Sequence, residues 1–329
     1  MEMNRSMLMY ALPILMSIAA LEAVAILLWR KQSYPWRESL ASVAIAIGQR
    51  LSGLATAGLI AGLFTTLWQW RFFTIDMTSW WGPVLLFIGI EFFYYWQHRT
   101  MHECRWFWAN HAVHHSPQHI NLSGAYRIGW TGAITGAALF YVPLLFLGFS
   151  PKAISIALAL NLLYQFWLHT ELVPRLGWLE SILNTPSNHR VHHAINPQYL
   201  DANYGGVTLI FDRLFGTYVA EKADDACRYG LVHQMNSHNP FTIVFREWIN
   251  IWQDVRASRT WAEALRYTFK APGWSHDNSR LTSEKMKALA NAEKLQTQTM
   301  PIAPQQNLAS HSQGNLQTRA ATFRKPETI

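Results

Sequence analysis

Cysteine is scarce in this sequence, with only two, Cys104 and Cys227, among 329 residues. Two cysteines cannot build the disulfide framework of a small secreted protein, and we assign them no role. Charged residues are also few, at 14%. Although the net charge is +7, the chain carries no nucleic-acid-binding motif, and basic loops beside a bilayer account for the excess more simply. Nucleic acid is therefore excluded as a partner.

Hydrophobic residues, by contrast, make up half of the chain, as is typical of an integral membrane protein. Five hydrophobic runs are long enough to cross or enter a hydrocarbon layer about 30 Å thick. They cover residues 7–29, 42–68, 80–96, 131–149 and 152–168. The last two runs are joined only by Ser150 and Pro151, so we expect them to form a tight hairpin.

Loop charges orient these runs. The loop after the first run carries Arg30, Lys31 and Arg37, and the positive-inside rule places such a loop in the cytosol. The amino terminus then lies outside, and the third run ends on the cytosolic face. The predicted fold is an all-α, multi-pass integral membrane protein of about five spans, with a cytosolic helical cap.

Eight of the fourteen histidines fall into three short clusters in that cap. The clusters read H-x-x-x-H, H-x-x-H-H and H-x-x-H-H, and they comprise His98 and His102; His111, His114 and His115; and His189, His192 and His193. Residues three and four apart share one face of a helix, so each cluster groups its imidazoles. Nine residues separate His102 from His111, which is half a circle on a straight helix, so the chain must bend between them. Asn110 is the predicted start of the second helix.

Eight imidazoles are too many for one ion, and the sequence therefore predicts two metals. His169, at the end of the fifth run, lies on the same side of the membrane and is added as a ninth ligand. A centre rich in histidine and poor in carboxylates favours oxygen chemistry. Because zinc is redox-inert, we expect iron as the working metal even where a purified sample carries zinc. The other histidines lack a partner at ligand spacing: His119, His233, His238, His276 and His311.

Three further segments bear on this cap. Thr185 and Pro186 predict the start of a short helix that carries the third cluster. Residues 207–218 have apolar residues at helical spacing and lie either in the membrane surface or against the cap. Glu91 shares a helix face with His98, and it either hydrogen-bonds a ligand imidazole or is a structural, proton-bearing or arginine-paired glutamate.

At these clusters the sequence resembles the fatty acid hydroxylase and sterol desaturase superfamily of integral-membrane di-iron enzymes, whose signature is this three-box histidine pattern. The likeness runs from about Phe92 to Gly216, and the strings NLLYQFWLHTE, ILNTPSNHRVHH and DANYGG are similar to a subgroup that acts on ether lipids. It implies that all nine histidines are iron ligands. It also matches four polar positions that are candidates for holding ligands, substrate or cofactor: Glu91, Glu103, Asp201 and Asn203.

The resemblance implies a reaction as well. O₂ would hydroxylate the carbon next to the ether oxygen of a membrane glycerolipid, with electrons from tetrahydrobiopterin or a redox protein, and the product would fall apart to a fatty aldehyde and a glycerol derivative. One departure is GAYRIG after NLS, where the subgroup has a TALRQS-like run. This departure bears on the exact reaction and not on the metal ligands.

Three regions follow: a two-span region over residues 1–79, a hydroxylase-like catalytic domain over residues 80–275, and a tail over residues 276–329. The tail is rich in Gln, Asn, Ser and Thr, so we expect it to be largely disordered. Two kinds of alternative remain open. One is another reaction of the superfamily, namely fatty-acyl or ornithine-lipid hydroxylation or sterol desaturation. The other is a metal-binding membrane transporter, which predicts polar ligands along a path at mid-bilayer.

Overall fold

Helices supply the regular secondary structure of residues 2–299, the part of the chain that the computed structural model describes. Within that part there is no strand, only the isolated bridges Leu183–Thr208 and Ala194–Tyr229. The all-α prediction is therefore confirmed. The α-helices are α1 (Glu2–Leu28), α2 (Trp36–Trp68), α3 (Trp81–Glu103), α4 (Arg105–His115), α5 (Gly132–Thr135), α6 (Val142–Phe146), α7 (Pro151–Phe166), α8 (Pro186–His193), α9 (Ile210–Phe215), α10 (Pro240–Ala257), α11 (Trp261–Phe269) and α12 (Ser283–Thr299).

Among the described residues, α2 is the one helix long and apolar enough to cross a membrane. Its 33 residues span about 50 Å at 1.5 Å per residue, more than a hydrocarbon layer needs. Only 6% of its most apolar window is buried inside the protein, so its side chains face outward. The number of spans stays a prediction.

The predicted span over residues 131–149 is not one continuous helix in the structure. The segment is divided into α5, a 3₁₀ helix at Ala137–Tyr141 and α6. Gly136 stands between them with φ +78°, a left-handed conformation that ends a helix. The broken segment instead contributes Leu144 and Leu145 to a buried core with Ile90 of α3.

The chain does bend between His102 and His111, as the rotation argument requires. The bend lies at Cys104, which is extended (φ −125°, ψ 119°) between α3 and α4, and not at the predicted Asn110. Asn110 lies inside α4, where its side-chain oxygen accepts hydrogen bonds from the backbone and hydroxyl of Thr131 at 3.0 and 2.9 Å. Asn110 therefore fixes the following loop rather than a helix start.

The short helix α8 begins as predicted. Thr185 accepts a hydrogen bond from the Asn188 backbone, and Pro186 occupies the first turn. All eight residues of α8 are buried. The predicted helix over 207–218 is shorter, because only α9 forms, and Asp212 is buried within it while Leu214 is 68% exposed.

Two amphipathic helices, α10 and α11, follow in sequence and pack against α4. Residues 2–290 belong to one compact unit, and residues 291–299 belong to a second. The predicted tail begins within this part of the chain as α12, while its residues 300–329, including His311, lie outside the described residues.

Candidate metal centre

The structure brings all nine predicted imidazoles into two sets. In each set the potential ligand atoms all lie within 4.8 Å of one another. The first set consists of His98, His102, His111, His115 and His192, and the second of His114, His169, His189 and His193. The sets touch, since the rings of His115 and His193 stack with centroids 4.3 Å apart.

Two helices each serve both sets. On α4, His111 and His115 are four residues apart and face the first set, whereas His114 is turned toward the second. On α8, His192 joins the first set, while His189 and His193, again four apart, join the second. The H-x-x-H-H spacing thus divides each triplet between two neighbouring positions.

Distances between ring nitrogens fit ion coordination. In the first set Nε2 of His111 lies 2.9 Å from Nε2 of His98 and 3.2 Å from Nε2 of His115. In the second set Nε2 of His169 lies 3.2 Å from Nε2 of His114 and 3.0 Å from Nε2 of His189. Two imidazoles bound at right angles to an ion about 2.1 Å away would have nitrogens about 3.0 Å apart.

Backbone carbonyls fix the tautomers of several rings. Nδ1 of His98 lies 2.8 Å from the Tyr204 carbonyl, Nδ1 of His169 lies 3.0 Å from the Gln165 carbonyl, and Nδ1 of His192 lies 2.9 Å from the Ala202 carbonyl. A carbonyl only accepts, so Nδ1 of each ring carries the proton and Nε2 keeps its lone pair. These lone pairs point into the two sets.

The lone pairs of two rings are left without a partner. Nε2 of His102 and Nε2 of His192 are buried and make no hydrogen bond within the described chain. A buried polar atom without a partner costs about 1–3 kcal/mol. An ion coordinated by the first set, to which both rings belong, would satisfy these two atoms, and the four imidazoles of the second set offer a second ion the same kind of ligand.

Eight of the rings are held in the neutral form, which is the form that binds a metal. Burial lowers the pKa of His98 to about 3 and that of His169 to about 4. Burial, together with neighbouring imidazoles, holds the pKa of six other ring systems well below the usual value: His111, His114, His115, His189, His192 and His193.

Of the four polar candidates, Asp201 reaches a histidine. Its Oδ1 lies 3.3 Å from Nδ1 of His102. Burial raises the pKa of Asp201, but hydrogen bonds from His102 and Ser283 lower it by a larger amount. The pKa of Asp201 therefore lies below its usual value. The carboxylate is therefore ionised, and it orients His102 with Nε2 toward the first set.

Glu91 hydrogen-bonds to α7 and to a loop, and to no histidine in the described structure. It accepts hydrogen bonds from Asn161 at 2.6 Å and from the Thr208 backbone and hydroxyl at 2.6 and 2.9 Å. Glu91 thus ties α3 to α7 and to the loop before α9. These contacts agree with the structural alternative for Glu91, and no arginine is among its hydrogen-bond partners in the described structure. Glu103 pairs at 2.8 Å with Arg99.

Asn203 shapes the turn whose Ala202 and Tyr204 carbonyls accept hydrogen bonds from two of the imidazoles. It is fully buried, has φ +57°, and its side chain holds the backbones of Asn188 and Val219. Asp212, which the sequence argument did not single out, accepts from the Tyr204 and Gly205 backbones at 2.7 and 2.8 Å. The dense Asn, Asp and Gly content of DANYGG was the available signal for such a turn.

A small cavity of about 10 Å³ adjoins the second set. Its lining includes His114, His169, His193, His119 and Gly124. This volume admits about one water molecule, so the second set is nearly closed to solvent.

The chain also resembles known proteins over this region. Residues 83–217 match the fatty acid hydroxylase family. Alkylglycerol monooxygenase of Xenopus tropicalis is 38% identical over 262 residues, which are 79% of this chain and 58% of that protein. The Homo sapiens alkylglycerol monooxygenase is 37% identical over 273 residues, 82% of this chain and 60% of that protein.

A bacterial relative covers less of the chain. Ornithine lipid hydroxylase OlsE of Rhizobium tropici is 32% identical over 136 residues, 41% of each chain. This chain thus spans about three-fifths of the length of the alkylglycerol monooxygenases that it matches. No solved structure matches it. Both histidine sets lie inside residues 83–217, the segment of this chain that matches the fatty acid hydroxylase family.

Proposed function

We propose that this protein is a membrane-bound di-iron monooxygenase that cleaves ether lipids of the alkylglycerol type. O₂, two electrons and two protons hydroxylate the carbon next to the ether oxygen and form one water. The hydroxylated product then breaks into a fatty aldehyde and a glycerol derivative. Tetrahydrobiopterin or a redox protein supplies the electrons.

The observation that carries this proposal is the pair of facing imidazole sets, five and four, with their lone pairs turned inward. Nine imidazoles with one nearby carboxylate favour iron over calcium or magnesium, which take oxygen ligands. Bound iron would supply the reduction of O₂ that hydroxylation of an unactivated C–H bond requires. Zinc in a purified sample would occupy the same residues without redox activity.

The chain's own residues have three tasks in this reaction. The two sets hold the metals, and Asp201 and the carbonyls of Ala202 and Tyr204 keep the ring nitrogens aimed at them. Close packing around the small cavity limits water at the second set. Exclusion of water protects a reactive centre from side reactions.

A lipid substrate is supported by the membrane character of the chain. α2 exposes apolar side chains along a length that exceeds a hydrocarbon layer. We propose several spans, the loop of Arg30 and Lys31 in the cytosol, the amino terminus outside and the histidines on the cytosolic face. We also propose residues 80–275 as the catalytic domain, residues 1–79 as a membrane region and residues 276–329 as a tail.

Product analysis tests the substrate. Membranes that contain the wild-type chain, supplied with labelled alkylglycerol, tetrahydrobiopterin and O₂, should form labelled fatty aldehyde. Membranes with His114→Ala should form none, and those with His233→Ala, an exposed histidine outside both sets, should match the wild type. Aldehyde formation at the same rate with His114→Ala would overturn the proposal.

The second candidate is hydroxylation of an acyl chain or of an ornithine lipid. It is favoured by the similarity to ornithine lipid hydroxylase over the metal-binding segment. The same membranes given ornithine lipid would then yield a hydroxylated lipid and no aldehyde. A sterol substrate would instead yield a desaturated product.

A further inference from the structure

We propose that the helical hairpin α10–α11 lies in the interface of the membrane and binds anionic lipid headgroups. The inference goes beyond the proposed reaction, because it concerns how the surface of the protein contacts the membrane and not which substrate is oxidised. It stands on exposed apolar stripes, on unpaired basic residues and on the position of the hairpin beside α2.

An apolar stripe runs along the outside of α10. Phe241 is 64% exposed, Ile249 51% and Trp252 60%. At about 100° per residue, these three side chains and Phe245 fall within about 80° of one another around the helix. The opposite face is also apolar and packs inward through Ile243, Val244 and Ile251. One apolar face of α10 is thus covered by the protein, and a second is not.

The shorter helix α11 repeats this arrangement. Trp261, Leu265 and Phe269 are spaced by four residues and are 87%, 58% and 51% exposed. Its inward face is formed by Ala264 and Tyr267. Exposed Trp and Phe on amphipathic helices are typical of segments that lie in the plane of a membrane interface.

Charge separates the two faces of the hairpin. Its acidic residues pair with other side chains of the protein: Glu247 with Arg105 at 2.7 Å, Asp254 with Arg105 at 2.6 Å and Arg280 at 2.7 Å, and Glu263 with His276 at 3.2 Å.

Its basic residues form no ion pair among the described residues. They are Arg246, Arg256, Arg259, Arg266 and Lys270, and all of them are exposed. An exposed surface that combines aromatic stripes with cations that form no ion pair matches the headgroup region of an anionic leaflet.

The hairpin also lies at the right level. Ile243 and Val244 of α10 pack with Ala41 and Ile45, which belong to the first three turns of α2. An element at the end of a membrane span lies at the boundary between hydrocarbon and water. Val113 of α4, which stands between the ligands His111 and His114, belongs to the same cluster. The interface helix would therefore fix the depth of the metal centre.

Fluorescent labels on single cysteines test this placement in the full-length protein. The labels go on Trp252→Cys, in the stripe, and on Ala257→Cys, five residues later and about 140° around the helix. Both variants carry Cys104→Ser and Cys227→Ser. The protein is reconstituted in bilayers of phosphatidylcholine with one-third phosphatidylglycerol, with or without a quencher attached near the lipid headgroup.

The label at position 252 should be quenched about twofold or more by the lipid-borne quencher, and the label at 257 much less. Arg259→Glu with Arg266→Glu should reduce the quenching at 252, and pure phosphatidylcholine should do the same for the unmodified hairpin. Ile249→Cys, in the same stripe, repeats the measurement should Trp252→Cys misfold. Iron content verifies the fold of each variant.

Three outcomes would overturn the inference. Equal exposure of both labels to water removes the membrane contact. A label at 252 that is shielded from water but not quenched by lipid indicates a protein partner. Quenching that is the same with and without anionic lipid removes the headgroup contact. None of these quenching measurements depends on catalysis. A protein that failed to cleave alkylglycerol would therefore refute the proposed function without affecting the membrane placement of the hairpin.

Discussion

At the scale of single residues, Asp201 tests whether a carboxylate orients a metal-binding imidazole or only adds charge to the protein. Asp201→Asn keeps an acceptor oxygen and tolerates φ +47°, but it removes the charge beside His102. We expect iron affinity to fall about tenfold or more, because partners of metal-bound imidazoles typically contribute that much. Glu103→Gln, at an exposed carboxylate paired with Arg99, is the matched control and should retain wild-type affinity.

Metal titration of the purified protein measures this difference. Equal affinities for the wild type and Asp201→Asn would show that the 3.3 Å contact with His102 does not orient the ring.

Substitution of Glu91 should instead lower stability and leave iron binding unchanged. Glu91→Gln replaces an acceptor that faces the Thr208 backbone and hydroxyl with an amide whose NH₂ group opposes a donor. We expect the free energy of unfolding to fall by about 1–3 kcal/mol while the iron content of the folded fraction stays at the wild-type level. Thermal unfolding in detergent, with iron measured on the same sample, separates the two effects. Loss of iron without loss of stability would return Glu91 to the metal centre.

The sequence could predict which histidines converge, because H-x-x-H-H spacing on a helix is local geometry. It could not predict how they divide. His111 lies with His98 and His102 of α3, whereas His114 lies with His169, which follows α7. The contact of Asp201 with His102 joins residues 99 positions apart through a turn at positive φ, which spacing does not reveal.

At the scale of elements, α8 depends on its cap. The helix has only eight residues, yet it carries three of the nine imidazoles, and short helices are stabilised by their ends and by packing. Thr185→Val keeps the shape of a fully buried side chain but removes the oxygen that accepts from Asn188. It should lower the free energy of unfolding by about 1 kcal/mol, and Thr185→Ser should restore most of it. A Thr185→Val protein as stable as the wild type would contradict the capping role.

Helix boundaries were predicted well where a side chain marks them and poorly where backbone geometry does. Thr185 and Pro186 announce α8 in the sequence. Hydropathy alone merged residues 131–149 into one span, although Gly136 in a left-handed conformation ends α5 there. The bend at Cys104 carries no Gly or Pro signal, so the rotation between His102 and His111 required it without locating it.

At the scale of the whole molecule, the division of the nine imidazoles into two sets predicts two separable metals. His98→Ala removes a ligand from the first set, and His189→Ala removes one from the second. Each variant should retain about one iron per chain where the wild type retains about two, because the other set keeps all its ligands. His119→Ala is the matched control, since His119 borders the cavity without belonging to either set, and it should retain both irons.

Metal analysis of anaerobically purified protein checks this prediction, and O₂ consumption with alkylglycerol checks its consequence. Both ligand variants should lose O₂ consumption entirely, because the reaction proposed here needs two metals acting together, whereas His119→Ala should consume O₂. α4 and α8 each supply ligands to both sets, so disorder in either helix would release both metals at once. Loss of both irons from His98→Ala with intact helicity by circular dichroism would therefore show one coupled centre in place of two sites that fill independently.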